Sequence, residues 1–118
     1  MKKFEIKEEF YLNDKEHKII SGSIHYFRSM PDSWEDKIIK LKALGANTIE
    51  TYVPWNMHEY NEGDWNLENN LNLRYFLELA TKHDMLIIVR FGPYICAEHD
   101  YGGFPWWLNN KEGIKFRC

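Results

Sequence analysis

The sequence contains few cysteines and no concentrated positive charge. Two cysteines in 118 residues, Cys96 and Cys118, are too few for a disulfide framework, so we interpret both as reduced thiols. The formal net charge is −3. Lys37, Lys40 and Lys42 lie on or beside one predicted helix, and this density is too low for a phosphate-binding surface. We therefore expect no nucleic acid among the partners of this chain.

Long hydrophobic runs are also missing. The opening Met-Lys-Lys leads into Phe-Glu-Ile-Lys-Glu-Glu, which has no apolar stretch of the kind that a secretory signal carries. Nowhere does the chain approach the roughly 18 consecutive apolar residues that a membrane-spanning helix needs. These absences predict a cytoplasmic protein without membrane contact.

Aromatic residues, in contrast, are abundant. They make up 16% of the chain, with five Trp, seven Tyr and seven Phe, while hydrophobic residues account for 44% and charged residues for 28%. The overall balance is typical of a folded globular protein. So many rings in so short a chain indicate that some of them line a binding site instead of filling the core.

The N-terminal segment predicts short strands. Phe4–Ile6 and Phe10–Leu12 have the residue types of edge strands, and Asn13-Asp14 follows as a turn. The segment 17–26 predicts a further strand, interrupted by a Ser-Gly-Ser insert where another backbone or a ligand approaches closely. We interpret the first sixteen residues as a lead-in to the main fold.

Helices and strands alternate in the remainder of the chain. Apolar residues at 34, 38, 41 and 44 predict a helix capped by Asp32 or Ser33 and stopped by Gly45. A β-branched strand at 47–53 and a helix at 71–83 follow. The unbroken apolar run of the next strand, 85–90, is typical of a strand covered on both faces of a parallel sheet. A short helical turn at 103–108 and an extended piece at 114–117 complete the prediction.

The order strand, helix, strand, helix, strand predicts an α/β fold with one parallel sheet. The sheet looks incomplete because its last strand reads as an interior one with no strong partner after it. A complete (β/α)₈ barrel takes about 250 residues, so three βα units amount to about three-eighths of one. We treat residues 1–118 as a single, incomplete unit of this kind.

Polar and aromatic residues gather where each predicted strand ends. Since the carboxyl ends of parallel strands share one edge, these side chains predict a common mouth suited to a polyhydroxylated ligand. A polar rim with rings capping the sheet is the alternative that the pattern leaves open. The residues are His25, Tyr26, Arg28, Tyr52, Trp55, Asn56, His58, Glu59, Tyr94, Glu98, His99 and Asp100.

Two carboxylates in this set are candidates for a glycosidase pair. Glu59 and Glu98 would serve as acid and nucleophile or base. The competing interpretation makes Glu59 a solvated loop residue. A third carboxylate, Glu50, is interpreted as an ion-pair partner in the sheet. Glu98 stands beside small residues, which favours ligand contact for this side chain.

Other chemistries are less well supported by the spacing. His25, His58 and His99 would form a three-histidine metal site, but no two of them have the close spacing of metal ligands. The glycines do not form a phosphate-binding fingerprint. Cys96 has no base at a diagnostic spacing, so we interpret it as a packed small residue.

Three segments carry a resemblance to a known family. They are residues 22–28 (Gly-Ser-Ile-His-Tyr-Phe-Arg), residues 47–59 (Asn-Thr-Ile-Glu-Thr-Tyr-Val-Pro-Trp-Asn-Met-His-Glu) and residues 92–98 (Gly-Pro-Tyr-Ile-Cys-Ala-Glu). In this combination the chain resembles glycoside hydrolase family 35, the β-galactosidase family, from about residue 10 to the last residue. The resemblance implies the first three βα units of that family's catalytic (β/α)₈ barrel, with a short N-terminal β lead-in.

The resemblance further implies a retaining hydrolysis of terminal β-linked galactose by two glutamates. The family's acid/base lies in an Asn-Glu-Tyr-Gly-like motif after the fourth strand, and its nucleophile lies later; neither motif occurs in these 118 residues. By family position, the substrate-binding residues are Tyr52, Ile95, Cys96, Ala97 and Glu98. Glu98 thereby becomes a binder of sugar hydroxyls, which replaces the hypothesis of a catalytic Glu59/Glu98 pair.

The expectation is thus a β-galactosidase fragment that is inactive alone and needs neither cofactor nor metal. Its partner is a β-galactoside sugar, and its oligomeric state is left open. The alternative is a non-catalytic carbohydrate-binding fragment or a degenerate paralogue. Two residues depart from the family pattern: Phe91 replaces a usual proline, and His99 replaces a usual tryptophan beside the sugar-binding glutamate.

Overall fold

The computed structural model describes residues 3–116 and has a mixed α/β fold with two three-stranded sheets. The N-terminal sheet is antiparallel and consists of β1 (Phe4–Ile6), β2 (Phe10–Leu12) and β3 (Lys15–Glu16). Asn13 and Asp14 form the turn before β3 with positive φ angles of 52° and 63°. The predicted lead-in is confirmed. Strand β3 was not predicted, because its two polar residues are too few to form a strand pattern.

The second sheet is parallel and has the order β4 (Ser21–Ser23), β5 (Thr48–Tyr52), β6 (Leu86–Arg90). Helix α1 (Trp34–Ala43) connects β4 to β5. The short helix α2 (Trp55–His58) and the longer α3 (Leu73–Lys82) lie between β5 and β6. The predicted alternation of strands and helices is therefore confirmed.

Several element boundaries differ from the predictions. β4 is much shorter than 17–26 because the chain turns into a 3₁₀ helix at Tyr26–Arg28. Leu44 follows α1 and is 85% exposed, so it does not belong to the buried stripe, whereas Gly45 does end the helix with φ 95°. The predicted cap at α1 is wrong: Ser33 precedes the helix, but its hydroxyl donates to the Met30 carbonyl at 2.8 Å.

The two faces of the parallel sheet have different environments. Side chains alternate along a strand, and one face packs on the helices: Ile49 is fully buried there, and Gly22 contacts Leu41 of α1 so closely that a Cβ atom would lie 2.4 Å from Leu41 Cδ1. On the other face the register brings Ser23, Glu50 and Ile88 into one row. We call this second side the helix-free face.

The core lies between the helices and the first face of the sheet. Trp34, Tyr26 and Phe76 are fully buried and contact one another edge-on or tilted, with centroids 5.5 to 6.3 Å apart. The Trp34 indole N–H donates to the carbonyls of Tyr26 and Ser29 at 3.2 and 3.1 Å. This aromatic cluster holds the 26–29 turn, and with it the end of β4, against α1 and α3.

The prediction that the last strand is covered on both faces is wrong. Ile88 is 38% exposed, and Leu86, Ile87 and Val89 are only partly buried. The physical reason is that β6 pairs with β5 alone within residues 3–116 and that Ile88 points to the helix-free face.

The segment after β6 contains short 3₁₀ turns. These are Asp100–Gly103 and Trp106–Asn110, and the second agrees in part with the helical turn predicted at 103–108. Residues 114–116 form no strand, and Arg117 lies outside the described residues. No helix within 3–116 is long and apolar enough to cross a membrane.

Candidate functional site

A hydrogen-bonded network joins the ends of the three parallel strands. The Ser23 hydroxyl of β4 donates to Glu50 Oε2, and Arg90 Nη1 of β6 donates to Glu50 Oε1 at 3.2 Å and to the Tyr52 hydroxyl at 2.6 Å. The Arg90 guanidinium also lies over the Tyr52 ring, 4.4 Å from its centroid. We call these four residues the strand-end network.

The network carries a negative charge at Glu50 that two donors stabilise. Partial burial acts to raise the pKa of Glu50, but the hydrogen bonds from Ser23 and Arg90 and the positive charge of Arg90 outweigh it, so the pKa is lowered. The interpretation of Glu50 as an ion-pair partner in the sheet is confirmed. Arg90 is thereby held above Tyr52, one of the predicted substrate-binding residues.

Aromatic contacts lead from Tyr52 to the loop after β4. The His25 ring lies 4.9 Å from the Tyr52 ring and 5.6 Å from the Phe27 ring. The Tyr52 backbone N–H points to His25 Nδ1 at 3.5 Å. Burial, together with the charges of Arg28 and Arg90, lowers the pKa of His25. His25 therefore stands beside Tyr52 as a neutral ring.

The other four predicted residues form a tight turn after β6. Cys96, Ala97 and Glu98 have consecutive positive φ angles of 59°, 53° and 46°, a conformation that is rare for residues with a side chain. Ile95 is the first residue of the turn, is 3% exposed and donates its N–H to the Gly102 carbonyl at 2.7 Å. Burial of Ile95 anchors the turn, while Cys96 and Glu98 project outward as exposed residues.

Arg28 holds this turn from the loop after β4. Its Nη2 donates to the Ala97 carbonyl, and its guanidinium lies 5.5 Å from the Phe27 ring centroid. The Phe27 ring also contacts His99 edge-on at 5.7 Å. Tyr52 and the 95–98 turn are thus linked by a continuous chain of contacts through the loop after β4.

A cleft of about 860 Å³ opens beside the turn. Cys96, Glu98 and His99 line it together with aromatic residues, whereas Tyr52, Ile95 and Ala97 do not. The aromatic members are Tyr94, Tyr101, Phe104 and Phe116. The expectation that Cys96 is a packed residue is wrong, because its free thiol is exposed at this cleft.

His99 forms a fixed part of the cleft wall. Its Nε2 donates to Asn56 Oδ1 at 3.0 Å, and the Asn56 amide donates to the Asp100 carbonyl at 3.4 Å. Burial and the charge of Arg28 lower the pKa of His99, against the opposing charge of Asp100. His99, one of the two residues that depart from the family pattern, therefore connects the loops that follow β5 and β6.

Glu59 has a structural role and lies apart from the cleft. It is 7% exposed, and its two carboxylate oxygens accept hydrogen bonds from the Trp55 indole at 2.6 Å and the Gly63 amide at 2.7 Å. Its carbonyl accepts from the Trp107 indole at 3.1 Å. The interpretation of Glu59 as a solvated loop acid is wrong, because helix α2 (Trp55–His58) places it inward.

The histidines do not converge on a shared site. His58 is buried, with Nδ1 2.8 Å from the Asn66 carbonyl and Nε2 2.5 Å from the Tyr26 hydroxyl. Both of its nitrogens are therefore occupied by protein partners. Across residues 3–116 no group of three or more His, Cys, Asp or Glu side chains is arranged to hold a metal ion.

Sequence patterns singled out Tyr52, Arg28 and Glu98, and the Ser-Gly-Ser insert that contains Ser23 was predicted to approach a backbone or a ligand. Arg90 was not among the residues predicted for the mouth. The signal for Arg90 is its place at the end of β6, directly opposite Tyr52 in the parallel register. Neighbouring positions on one sheet face lie close enough for their side chains to interact. Arg90 could have been identified as a charged residue in register with Tyr52, which was predicted to bind substrate.

The fold and site together define an α/β protein with a polar and aromatic surface at the ends of its parallel strands. Residues 9–118 match the model of glycosyl hydrolases family 35. The chain is 48% identical over 108 residues to β-galactosidase 17 of Arabidopsis thaliana, covering 91% of this chain and 16% of that protein. It is 44% identical over 111 residues to a β-galactosidase of Homo sapiens, covering 94% and 16%.

A third relative, β-galactosidase 8 of Oryza sativa subsp. japonica, is 46% identical over 101 residues, which cover 86% of this chain and 15% of that protein. The chain belongs to glycosyl hydrolases family 35. It spans about a sixth of the length of these curated relatives.

Proposed function

We propose that this chain supplies part of the galactose-binding site of a retaining β-galactosidase. The observation that carries the proposal is the linkage of Tyr52 to the turn that contains Glu98. It runs through His25, Phe27 and Arg28 in the loop after β4. A tyrosine hydroxyl and an exposed carboxylate suit the hydroxyl groups of a sugar, and the exposed rings of the adjoining cleft suit its apolar faces.

The helix-free face of the sheet supports a barrel as the complete fold. In a (β/α)₈ barrel the helices cover the outside of the strands, and the opposite strand face points to the barrel interior. Here Ser23, Glu50 and Tyr52 lie on the side away from the helices, and polar side chains cluster at the carboxyl ends of the strands. This is the end at which barrel enzymes bind substrate.

In this proposal the individual residues hold the sugar but do not cleave it. Tyr52 and Glu98 hydrogen-bond sugar hydroxyls, while Ile95, Cys96 and Ala97 form the turn that positions Glu98. The relatives named above support galactose as the sugar, since they are β-galactosidases. Glu59 takes no part, because both of its carboxylate oxygens already bind the protein.

The proposal is tested by titrating the 118-residue protein with galactose while recording amide NMR spectra. We expect weak binding, with a dissociation constant on the order of 1 mM or above, because only part of a sugar site is present. Shifts should centre on Tyr52 and residues 95–98. Glu98→Gln should weaken binding about fivefold or more, since it removes a charged hydrogen-bond acceptor.

Glu8→Gln is the matched control, because Glu8 is an exposed carboxylate next to the N-terminal sheet. It should bind galactose like the original protein, and glucose should bind more weakly than galactose. A chromogenic β-galactoside should remain intact, because the two catalytic glutamates of the family have no counterpart here. Equal shifts by galactose and glucose, or no effect of Glu98→Gln, would overturn the proposal.

A further inference from the structure

We propose that Arg90 is a positioning residue that fixes the Tyr52 hydroxyl as a hydrogen-bond donor to the ligand. The inference rests on the proposed sugar site and assigns a role to the strand-end network around it. Arg90 acts on the ligand only through Tyr52, and Glu50 holds Arg90 in place.

The geometry of Arg90 restricts the tyrosine in two ways. Arg90 and Tyr52 occupy paired positions at the ends of neighbouring parallel strands. Nη1 donates to the phenol oxygen at 2.6 Å, while the guanidinium carbon lies 4.4 Å from the ring centroid. The first contact fixes the oxygen, and the second favours one side of the ring through a cation–π interaction.

The direction of the hydrogen bond determines what Tyr52 offers to a ligand. A guanidinium has donors and no acceptor, so the phenol oxygen must accept from Arg90 and its own proton must point elsewhere. Within residues 3–116 no protein acceptor is hydrogen-bonded to that proton. Tyr52 is half-buried at the end of β5, and in this proposal its hydroxyl proton faces the space at the strand ends. A sugar hydroxyl oxygen is a suitable acceptor for it.

Glu50 stabilises the arginine in this position. The Arg90 side chain is 54% exposed, and an exposed arginine has several rotamers available. The contact with Glu50 at 3.2 Å selects the rotamer that reaches Tyr52, and Ser23 occupies the other oxygen of the carboxylate. Nη1 makes both contacts, while the guanidinium lies over the Tyr52 ring. Lysine would provide a charged donor but not the planar group that covers the ring.

The first test measures the tyrosine directly. In protein labelled with ¹³C at tyrosine Cζ, the Tyr52 resonance is assigned by its disappearance in Tyr52→Phe. We expect Arg90→Met to shift this resonance and Arg90→Lys to restore it in part, because the Cζ shift responds to hydrogen bonding at the phenol oxygen. Arg74→Met is the control, since Arg74 is an exposed arginine of α3 paired with Glu78, and it should leave the resonance unchanged.

The second test measures galactose binding in a double-mutant cycle. Arg90→Met should weaken binding about fivefold, the value of one lost hydrogen bond, and Arg90→Lys should recover part of the loss. In the Tyr52→Phe background, Arg90→Met should have no further effect, because its action passes through the hydroxyl. A merely structural arginine would weaken binding in both backgrounds.

An unchanged Tyr52 resonance in Arg90→Met overturns the inference, as does an undiminished galactose affinity of that variant. If the unmodified protein shows no galactose binding, the proposed function fails, and the Cζ comparison still decides whether Arg90 fixes the hydroxyl. The failures of the two proposals are therefore distinguishable.

Discussion

At the scale of single residues, His58 is a buried ring whose protonation state is set by its partners. Nδ1 donates to the Asn66 carbonyl, so Nε2 is left to accept from the Tyr26 hydroxyl. Burial lowers the pKa of His58, although the contact with Asn66 opposes this, and burial raises the pKa of Tyr26. Both groups are therefore neutral at neutral pH. This pair connects the turn after β4 to the loop after α2.

We predict that the free energy of unfolding decreases as the pH falls from about 7.5 to about 5.5. The unfolded chain takes up protons at its histidines near their ordinary pKa of 6.5, whereas His25, His58 and His99 resist protonation in the folded state. Stability is thus greatest above that pKa. Urea unfolding at the two pH values, followed by tryptophan fluorescence, measures the change.

The carboxylates of Glu5, Asp14, Glu35 and Glu50 also have lowered pKa values, but their ordinary values of 3.8 and 4.5 place their effect below this pH window. Equal stability at the two pH values would contradict the lowered pKa values of His25, His58 and His99.

At the scale of elements, the loop after β6 depends on a close approach of backbone to ring. Gly102 has φ 63°, and a Cβ atom there would lie 2.0 Å from Tyr94 Cε2. The Gly102 carbonyl accepts the hydrogen bond from Ile95 that anchors the 95–98 turn. The small residue therefore allows the Tyr94 ring and the turn to occupy their positions together.

We predict that Gly102→Ala lowers the free energy of unfolding by about 2 to 4 kcal/mol, the combined cost of a strained φ and a steric overlap. Gly63→Ala is the matched control, since Gly63 has φ 83° but open space around the position of a Cβ atom. It should cost only about 1 kcal/mol. Urea unfolding of both variants gives the difference, and equal losses would show that Tyr94 does not restrict this position.

The elements that the sequence predicts are those with a repeated pattern. Helices α1 and α3 and strands β5 and β6 extend over five to ten residues, long enough for apolar spacing or β-branched composition to identify them. β3 has two residues and α2 has four, which is too short for any periodicity. The inward position of Glu59 was missed for this reason, because the hydrogen bond from Trp55 depends on α2.

The candidate site is predictable only in part from the residues. The strand ends indicate where it lies, but the family resemblance, and not a local pattern, assigns Tyr52 and the 95–98 turn to substrate. The bond from Arg28 to the Ala97 carbonyl joins residues 69 positions apart. No local pattern encodes such a contact, since it depends on how the loops pack after the sheet has formed.

At the scale of the whole molecule, the parallel sheet has a polar end and an apolar border. β6 pairs with β5 on one side only in the described part of the chain, so its other edge presents unpaired backbone donors and acceptors. Ile88 lies on the helix-free face of this strand and is 38% exposed. An apolar strand with a free edge is a template for pairing with another strand.

We predict that the 118-residue protein self-associates through β6 and that Ile88→Lys reduces this association. A lysine places charge on the strand that would form the contact, and charged side chains oppose strand pairing between molecules. Size-exclusion chromatography with light scattering over a range of concentrations measures the distribution of masses. Leu44→Lys is the matched control, because Leu44 is 85% exposed after α1 and lies away from the sheet edge. If both variants reduce association equally, the molecules associate through general hydrophobic attraction and not through β6. If the unmodified protein has a single monomeric mass at every concentration, association through the edge of β6 is excluded.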